Sequence, residues 1–372
     1  MPSVPHSPLL VPSKENEPMT SGCEVQEITL GRTVRALHLE NDLLATTILL
    51  DKGADIYELT YKPKQMDVLW KSPWGLKEPG RGPAAYVTNS ETIWLEHYAG
   101  GWQELFPNGG DPCEYKGVEL SFHGEASMIP WDYEIIENSA DAAEVRLSAR
   151  LRRSPFRIER RMRVEAGQPV LTLHGKITNE AGEPMAYMWS HHPAFGAPFL
   201  SGACRIDTDA AALQVDDGYV GTHNPLERNA RYDWPRTSDG LDLSHVPDET
   251  AQRDLLAYFT DFNSGWYAIT NAELGFGVGL VWPKADFPYA WFWQEMNASP
   301  GFPFYQNCYV MAIEPASSIP GQGLAAVMEK TGLHRELDPG ESAETTLRAV
   351  FYESTTGVAA LSPDGQVQFR SS

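Results

Sequence analysis

Cysteine is scarce in this chain: Cys23, Cys113, Cys204 and Cys308 stand far apart, with no Cys-x-x-Cys pair. That excludes a dense disulfide framework and suits free thiols in a reducing compartment. Positive charge is also short, 29 Lys and Arg against 50 Asp and Glu, for a formal net charge of −21. Phosphate backbones are held by Lys and Arg, so nucleic acid is excluded as a partner. No apolar run approaches the length of a membrane span, and the opening "MPSVPHSPLLVPSKENEPMT" lacks a basic start followed by an apolar core. The expected location is therefore the cytoplasm, with no membrane partner. Long helical stripes are rare, no internal repeat is visible, and no short His-x-His or His-x-x-x-His pair offers a metal site.

What is present is alternation. From Cys23 onward, apolar residues recur with period two in runs of five to ten, broken by Gly, Pro, Asn and Asp, the pattern of a large antiparallel sheet protein. Val145, Leu147, Ala149 and Leu151 share one face, and after "RRSP" Phe156, Ile158, Met162 and Val164 share another, which predicts a hairpin. Arg157, Glu159, Arg161 and Arg163 fall on the opposite, solvated face. Turns at "EAGQP" and "NEAGEP" extend this into a four-strand meander ending in "MAYMWSHHPAFG". The region 202–254 is more polar and reads as an elaborated loop, after which strands resume from "WYAITN" to "SAETTLRAVFYES". The expected architecture is an all-β, large antiparallel sandwich with few short helices: a flexible arm over 1–22, a single domain over 23–356 and a tail over 357–372.

Two strands place polar residues where apolar ones are expected. In "MAYMWSHHP" the alternation sets Met185, Tyr187, Trp189 and His191 against Ala186, Met188, Ser190 and His192. The adjacent histidines therefore point apart, so one can face a site while the other packs. In "YVMAIEP" Glu314 shares a face with Val310 and the small Ala312, and a carboxylate there either closes a structural ion pair or awaits a ligand. His123 in "SFHGEAS" is a third polar landmark, following "GGWQELFPNGGDP".

The joint order of several short words resembles the aldose 1-epimerases, the galactose mutarotase-like superfamily, and in particular its bacterial branch. The likeness runs from about Leu37 through "NDLLATTILLDKGADIYELTYKP", "DVLWKSPWG", "GGWQELFPNGG", "FHGE", "HHPAF", "AIEP" and "GLHRELDPGES". The resemblance implies a galactose mutarotase-like sandwich that interconverts the α and β anomers of a free monosaccharide or small sugar derivative without a cofactor or metal. It implies Glu314 as general base, His192 as general acid with Phe195 three positions on, and His123 as a sugar contact. The family's arginine beside the His-Gly word is replaced here by Glu125, with Arg81 a candidate substitute, and the family's substrate aspartate has Asp286 and Glu295 as candidates. Trp102, Gln103 and Trp293 are candidate walls or hydroxyl contacts by position. Such a reaction takes the anomeric proton while protonating the ring oxygen, and a carboxylate with an imidazolium of ordinary pKa near 6.5 supplies both. Three further readings compete: a non-catalytic sugar-binding or sensing protein, a metal site built on His123, His192 and Glu314, and a glycoside hydrolase or lyase on the same fold. The sugar's identity and the oligomeric state stay open.

Overall fold

The computed structural model describes residues 22–78 and 89–371. Among the described residues, 18 of the 24 strands belong to one sheet whose paired strands run antiparallel, and the other six form three two-stranded sheets. The large sheet is a continuous ribbon. From Glu24–Leu30 it passes through Val34–Glu40, Leu44–Leu49, Asp55–Tyr61 and Trp102–Leu105 to Ser190–Gly196. It goes on through Tyr309–Ala316, Tyr289–Met296, Arg253–Asn271, Phe276–Val281 and Ser342–Glu353 to Val170–Asn179. The hairpin Ala142–Arg150 and Phe156–Glu165, then Asp132–Asn138, complete it. The ribbon nearly closes on itself, because the Asn138 amide donates to Val25 O (3.1 Å) and its oxygen accepts from Val25 N (3.0 Å). A curled antiparallel ribbon of this kind has one shared interior, and most buried apolar side chains form a single cluster inside it.

The alternation expected between Val145 and Val164 is present, with those apolar side chains buried. Only three strands of the expected meander stay together. "MAYMWSHHPAFG" divides into Met185–Tyr187, which pairs with Arg335–Leu337, and Ser190–Gly196, which pairs with the strands of Gln103 and Glu314. The expected loop over 202–254 is corrected in its first part: Cys204–Val215 is a 12-residue strand paired along Arg253–Asn271. Its charged residues Arg205, Asp207 and Asp209 masked the period. They are used at the edge, where Asp207 receives Arg205, Arg370 and Val358 N, and Asp209 accepts from Ser264 N. The expected tail carries a hairpin, Val358–Leu361 with Val367–Phe369, whose Val358 and Leu361 pack with Trp266 and Tyr352. The expected arm over 1–22 lies outside the described residues except for Gly22. Among the described residues no helix is long and apolar enough to cross a membrane.

Of the strands that depart from one-face burial, three adjoin one another in the sheet. Trp102–Leu105, Ser190–Gly196 and Tyr309–Ala316 are buried along their whole length. Their outer face is covered by the short helix Ser90–His97, capped by Asn89 accepting from Thr92 N (3.1 Å), and by surrounding loops. Polar side chains on that face are therefore shielded from bulk water, which is costly unless they have work to do.

Candidate active site

The register that pairs Ser190 with Ala316 and Ala194 with Ala312 sets His192 directly opposite Glu314. Their side chains meet on the outer face, His192 Nε2 standing 3.5 Å from Glu314 Oε1, with both residues almost fully buried. His192 Nδ1 and Glu314 Oε2 have no hydrogen-bond partner. Both residues line a cleft of about 270 Å³ whose walls include Trp94, Tyr98, Phe122, Trp291, Trp293 and Phe304. Trp94, Tyr98 and Trp293 surround the His192 ring at centroid distances of 6.2, 5.6 and 6.0 Å.

His123 enters the same cleft from a tight turn. Its φ of 57° lies in the left-handed region, and its backbone N–H donates to Gly110 O (2.9 Å) while Gly110 N–H donates to its Nδ1 (2.9 Å). Because Nδ1 accepts from a backbone donor, the proton sits on Nε2, so this imidazole offers the cleft a hydrogen-bond donor. Gly110 is required by the same junction: a Cβ there would stand 1.8 Å from Gly321 O. Gly110 thus lets two loops meet at the wall of the cleft, where Gly110 and Gly321 are both part of the lining.

Burial governs the charge states. It pushes the Glu314 carboxyl well above its usual range and lowers His192 to about 4. His123 is held well below the ordinary histidine value by burial and, secondarily, by His192. The expected carboxylate and imidazolium are therefore the disfavoured tautomer of this pair. The favoured state has neutral His192 beside protonated Glu314, since a low-dielectric site penalises charge on either group.

The neighbouring histidine does different work. His191 faces the core, its Nδ1 accepts from Trp102 Nε1 (3.3 Å), and burial together with Arg160 lowers it to about 3. Beneath it Arg160 Nη1 pairs with Glu104 Oε2 at 3.1 Å, and Trp189 Nε1 donates to Glu104 Oε1 (2.7 Å).

Of the other candidates, Trp293 lines the cleft. Gln103 lies cross-strand from His192, its amide donating to Gly100 O (2.7 Å) and Asp55 Oδ2 (3.2 Å), so it belongs to the floor and not the lining. Trp102 is on the core face and is not a wall. Asp286 accepts from Thr345 Oγ1 (2.8 Å), and Glu295 accepts from Ala298 N (2.8 Å) and Ser299 N (3.0 Å), closing the turn after its own strand; neither lines the cleft. Arg81 lies outside the described residues. Glu125, where an arginine was expected, points away: its carboxylate accepts from the N–H groups of Arg152, Arg153 and Ser154 and anchors that turn.

Residues not anticipated are Trp94 and Tyr98, together with Glu91 and Asp111 at the rim. The i, i+4 spacing of Trp94 and Tyr98 in "ETIWLEHY" was the available signal, one helix face carrying two aromatics. Among the described residues no Lys or Arg lines the cleft, and no group of three or more His, Cys, Asp or Glu is arranged to hold a metal ion.

A family model described as a domain of unknown function, DUF4432, matches residues 31–350. Several solved structures share the fold at low identity. A proposed aldose 1-epimerase from Klebsiella pneumoniae subsp. pneumoniae MGH 78578 is 18% identical, with a TM-score of 0.63, over 90% of this chain and 84% of that one. A galactose mutarotase-like protein from Clostridium acetobutylicum is 14% identical, with a TM-score of 0.61, over 89% and 99%. The Slr1438 protein of Synechocystis sp. PCC 6803 is 16% identical, with a TM-score of 0.61, over 88% and 99%. These likenesses establish a galactose mutarotase-like fold. No protein of curated function matches the sequence.

Proposed function

The chain belongs to the DUF4432 family, and from the geometry of its cleft we propose that it is an aldose 1-epimerase, interconverting the anomers of a free sugar through Glu314 and His192. The observation that carries this reading is the 3.5 Å approach of His192 Nε2 to Glu314 Oε1 at the edge of a cleft sized for a sugar ring. Ring opening removes a proton from the anomeric hydroxyl and delivers one to the ring oxygen, and both oxygens are bonded to the same carbon. An acid and a base that serve them must stand side by side, as these two groups do.

The pair needs only one proton. With Glu314 protonated and His192 neutral, the state burial favours, Glu314 donates to the ring oxygen while His192 accepts from the anomeric hydroxyl. The ring opens to the aldehyde, rotation about C1–C2 exposes the other carbonyl face, and reclosure runs the two transfers backwards. The pair returns to its starting state, so no proton is gained or lost. If bound sugar hydroxyls bring the pair to the ionised tautomer, Glu314 is the base and His192 the acid, and the same cycle holds. The Nε2–H of His123 donates to a sugar oxygen and fixes orientation. The aromatic walls exclude water and offer apolar faces to the sugar's C–H groups.

A non-catalytic sugar-binding protein is the second reading, favoured by the replacement of the expected arginine with Glu125 and by the lack of a cation in the described lining. Exchange NMR at the anomeric protons of neutral aldoses, uronates and sugar phosphates, with wild type and Glu314→Gln, separates the two. Accelerated exchange lost in the variant supports the epimerase. Sugar binding without acceleration replaces it with the binding reading.

A further inference from the structure

The covering helix brings a third proton-bearing group to the pair that the acid–base cycle does not use. Tyr98 follows the last turn of Ser90–His97, lines the cleft, and is wedged by aromatic rings: stacked on Trp94 at 4.6 Å, tilted against Trp70 at 5.4 Å and edge-on to His192 at 5.6 Å. Ring contacts on three sides fix the phenol in place. Its hydroxyl is buried and has no hydrogen-bond partner, an expensive arrangement for packing alone, since a phenylalanine would fill the same space without that cost.

Among the described residues two buried carboxylate oxygens are likewise without partners, Glu314 Oε2 and Asp55 Oδ1, and of the two residues only Glu314 lines the cleft together with Tyr98. Of the charges that bear on the Tyr98 hydroxyl, Glu314 is foremost and Asp55 second. Tyr98 OH and Glu314 Oε2 are both without partners, so the two orphans are not joined here. Resting on the epimerase reading, we propose that Tyr98 is a positioning residue that acts through Glu314: with sugar bound, its hydroxyl donates to Glu314 Oε2, orienting the carboxyl and stabilising its ionised form. The phenol serves as donor throughout, because burial and Glu314 both hold its own proton on. This gives Glu314 a means of releasing the proton that burial otherwise retains. The other ionisable groups around the pair are His192 and, beyond it, His123 with Tyr219 and the rim carboxyls of Glu91 and Asp111 in the cleft, Cys308 near the Tyr98 hydroxyl, and Tyr267, Asp55 and Lys52.

The test compares wild type with Tyr98→Phe, which removes one oxygen and keeps the ring, and with Tyr267→Phe, which removes the other orphaned hydroxyl that feels Glu314. Infrared difference titration in the presence of saturating sugar follows the protonated-carboxyl band, identified as the band missing in Glu314→Gln. The expected result is a midpoint displaced upward in Tyr98→Phe by about one pH unit, because a donor to a carboxylate lowers its pKa and its loss raises it, with Tyr267→Phe unchanged. In anomer exchange, kcat should fall about tenfold with KM unaltered, the signature of a group acting on Glu314 and not on the sugar. An unchanged midpoint in Tyr98→Phe overturns the proposal, whatever happens to kcat, as does an equal shift in Tyr267→Phe. If wild type accelerates no sugar, the epimerase reading fails, while the midpoint comparison still decides the role of Tyr98.

Discussion

His192 and Glu314 are direct cross-strand neighbours, and the 3.5 Å between Nε2 and Oε1 follows from the register of the two strands that carry them. An acid–base pair held by strand pairing needs no loop closure to assemble. It also inherits a buried environment, which decides its protonation.

Replacing either member of the pair should cost catalysis far more than stability. Glu314→Gln and His192→Gln are each expected to slow anomer exchange by about 10²–10⁴-fold, roughly 3–5 kcal/mol of barrier. Thermal melting should show both variants folded, with Glu314→Gln no less stable than wild type at neutral pH. The sign follows from burial: a carboxyl whose folded pKa is raised stabilises the fold below its unfolded value and loses that contribution as pH rises through the folded one.

The core histidine makes the opposite contribution. His191 has its folded pKa depressed from the ordinary 6.5 to about 3, so the unfolded chain binds the proton more readily. Its contribution to stability is intact above pH 6.5 and is lost as pH falls toward 3, by about 1.4 kcal/mol per pH unit. Urea unfolding at pH 6.5 and pH 5 should show wild type losing about 2 kcal/mol more than His191→Gln, whose amide oxygen can still accept from Trp102.

His123 tests orientation apart from proton transfer. Asparagine tolerates the left-handed backbone at this position but cannot place a donor where Nε2–H stands. His123→Asn is expected to raise KM with a smaller change in kcat, for a loss in kcat/KM of roughly 10–100-fold, in steady-state exchange measurements with the best sugar of the panel.

The Arg160–Glu104 pair supports the floor from the core side. Arg160→Met leaves Glu104 buried with only Trp189 as partner and should destabilise the fold by about 3–5 kcal/mol in urea unfolding. Adding Glu104→Gln, which removes the uncompensated charge and can still accept from Trp189, should recover a large part of that loss. Failure of the second change to recover stability would show that Arg160 acts through packing against Trp131 rather than through charge.

Much of the site was legible because strand alternation is local. Period two alone separated His191 from His192 and grouped Glu314 with Ala312, and no distant residue can alter which side of a strand a side chain leaves. Arg160, which sequence alone did not single out, shares the parity of Ile158 and Met162 and is buried with them, and its purpose depends on Glu104, 56 positions earlier in the chain. Trp102 stood as a candidate wall or hydroxyl contact because sequence does not say which face of its strand meets the cleft; its side chain lies on the core face with His191. Glu125 likewise reads as a missing cation until the fold brings Arg152, Arg153 and Ser154 to its carboxylate. The alternation and the identity of the chemical groups belong to the sequence by itself. Which groups meet, and in which charge state, belongs to the tertiary structure, because register across strands and exclusion of water arise only when distant segments pack.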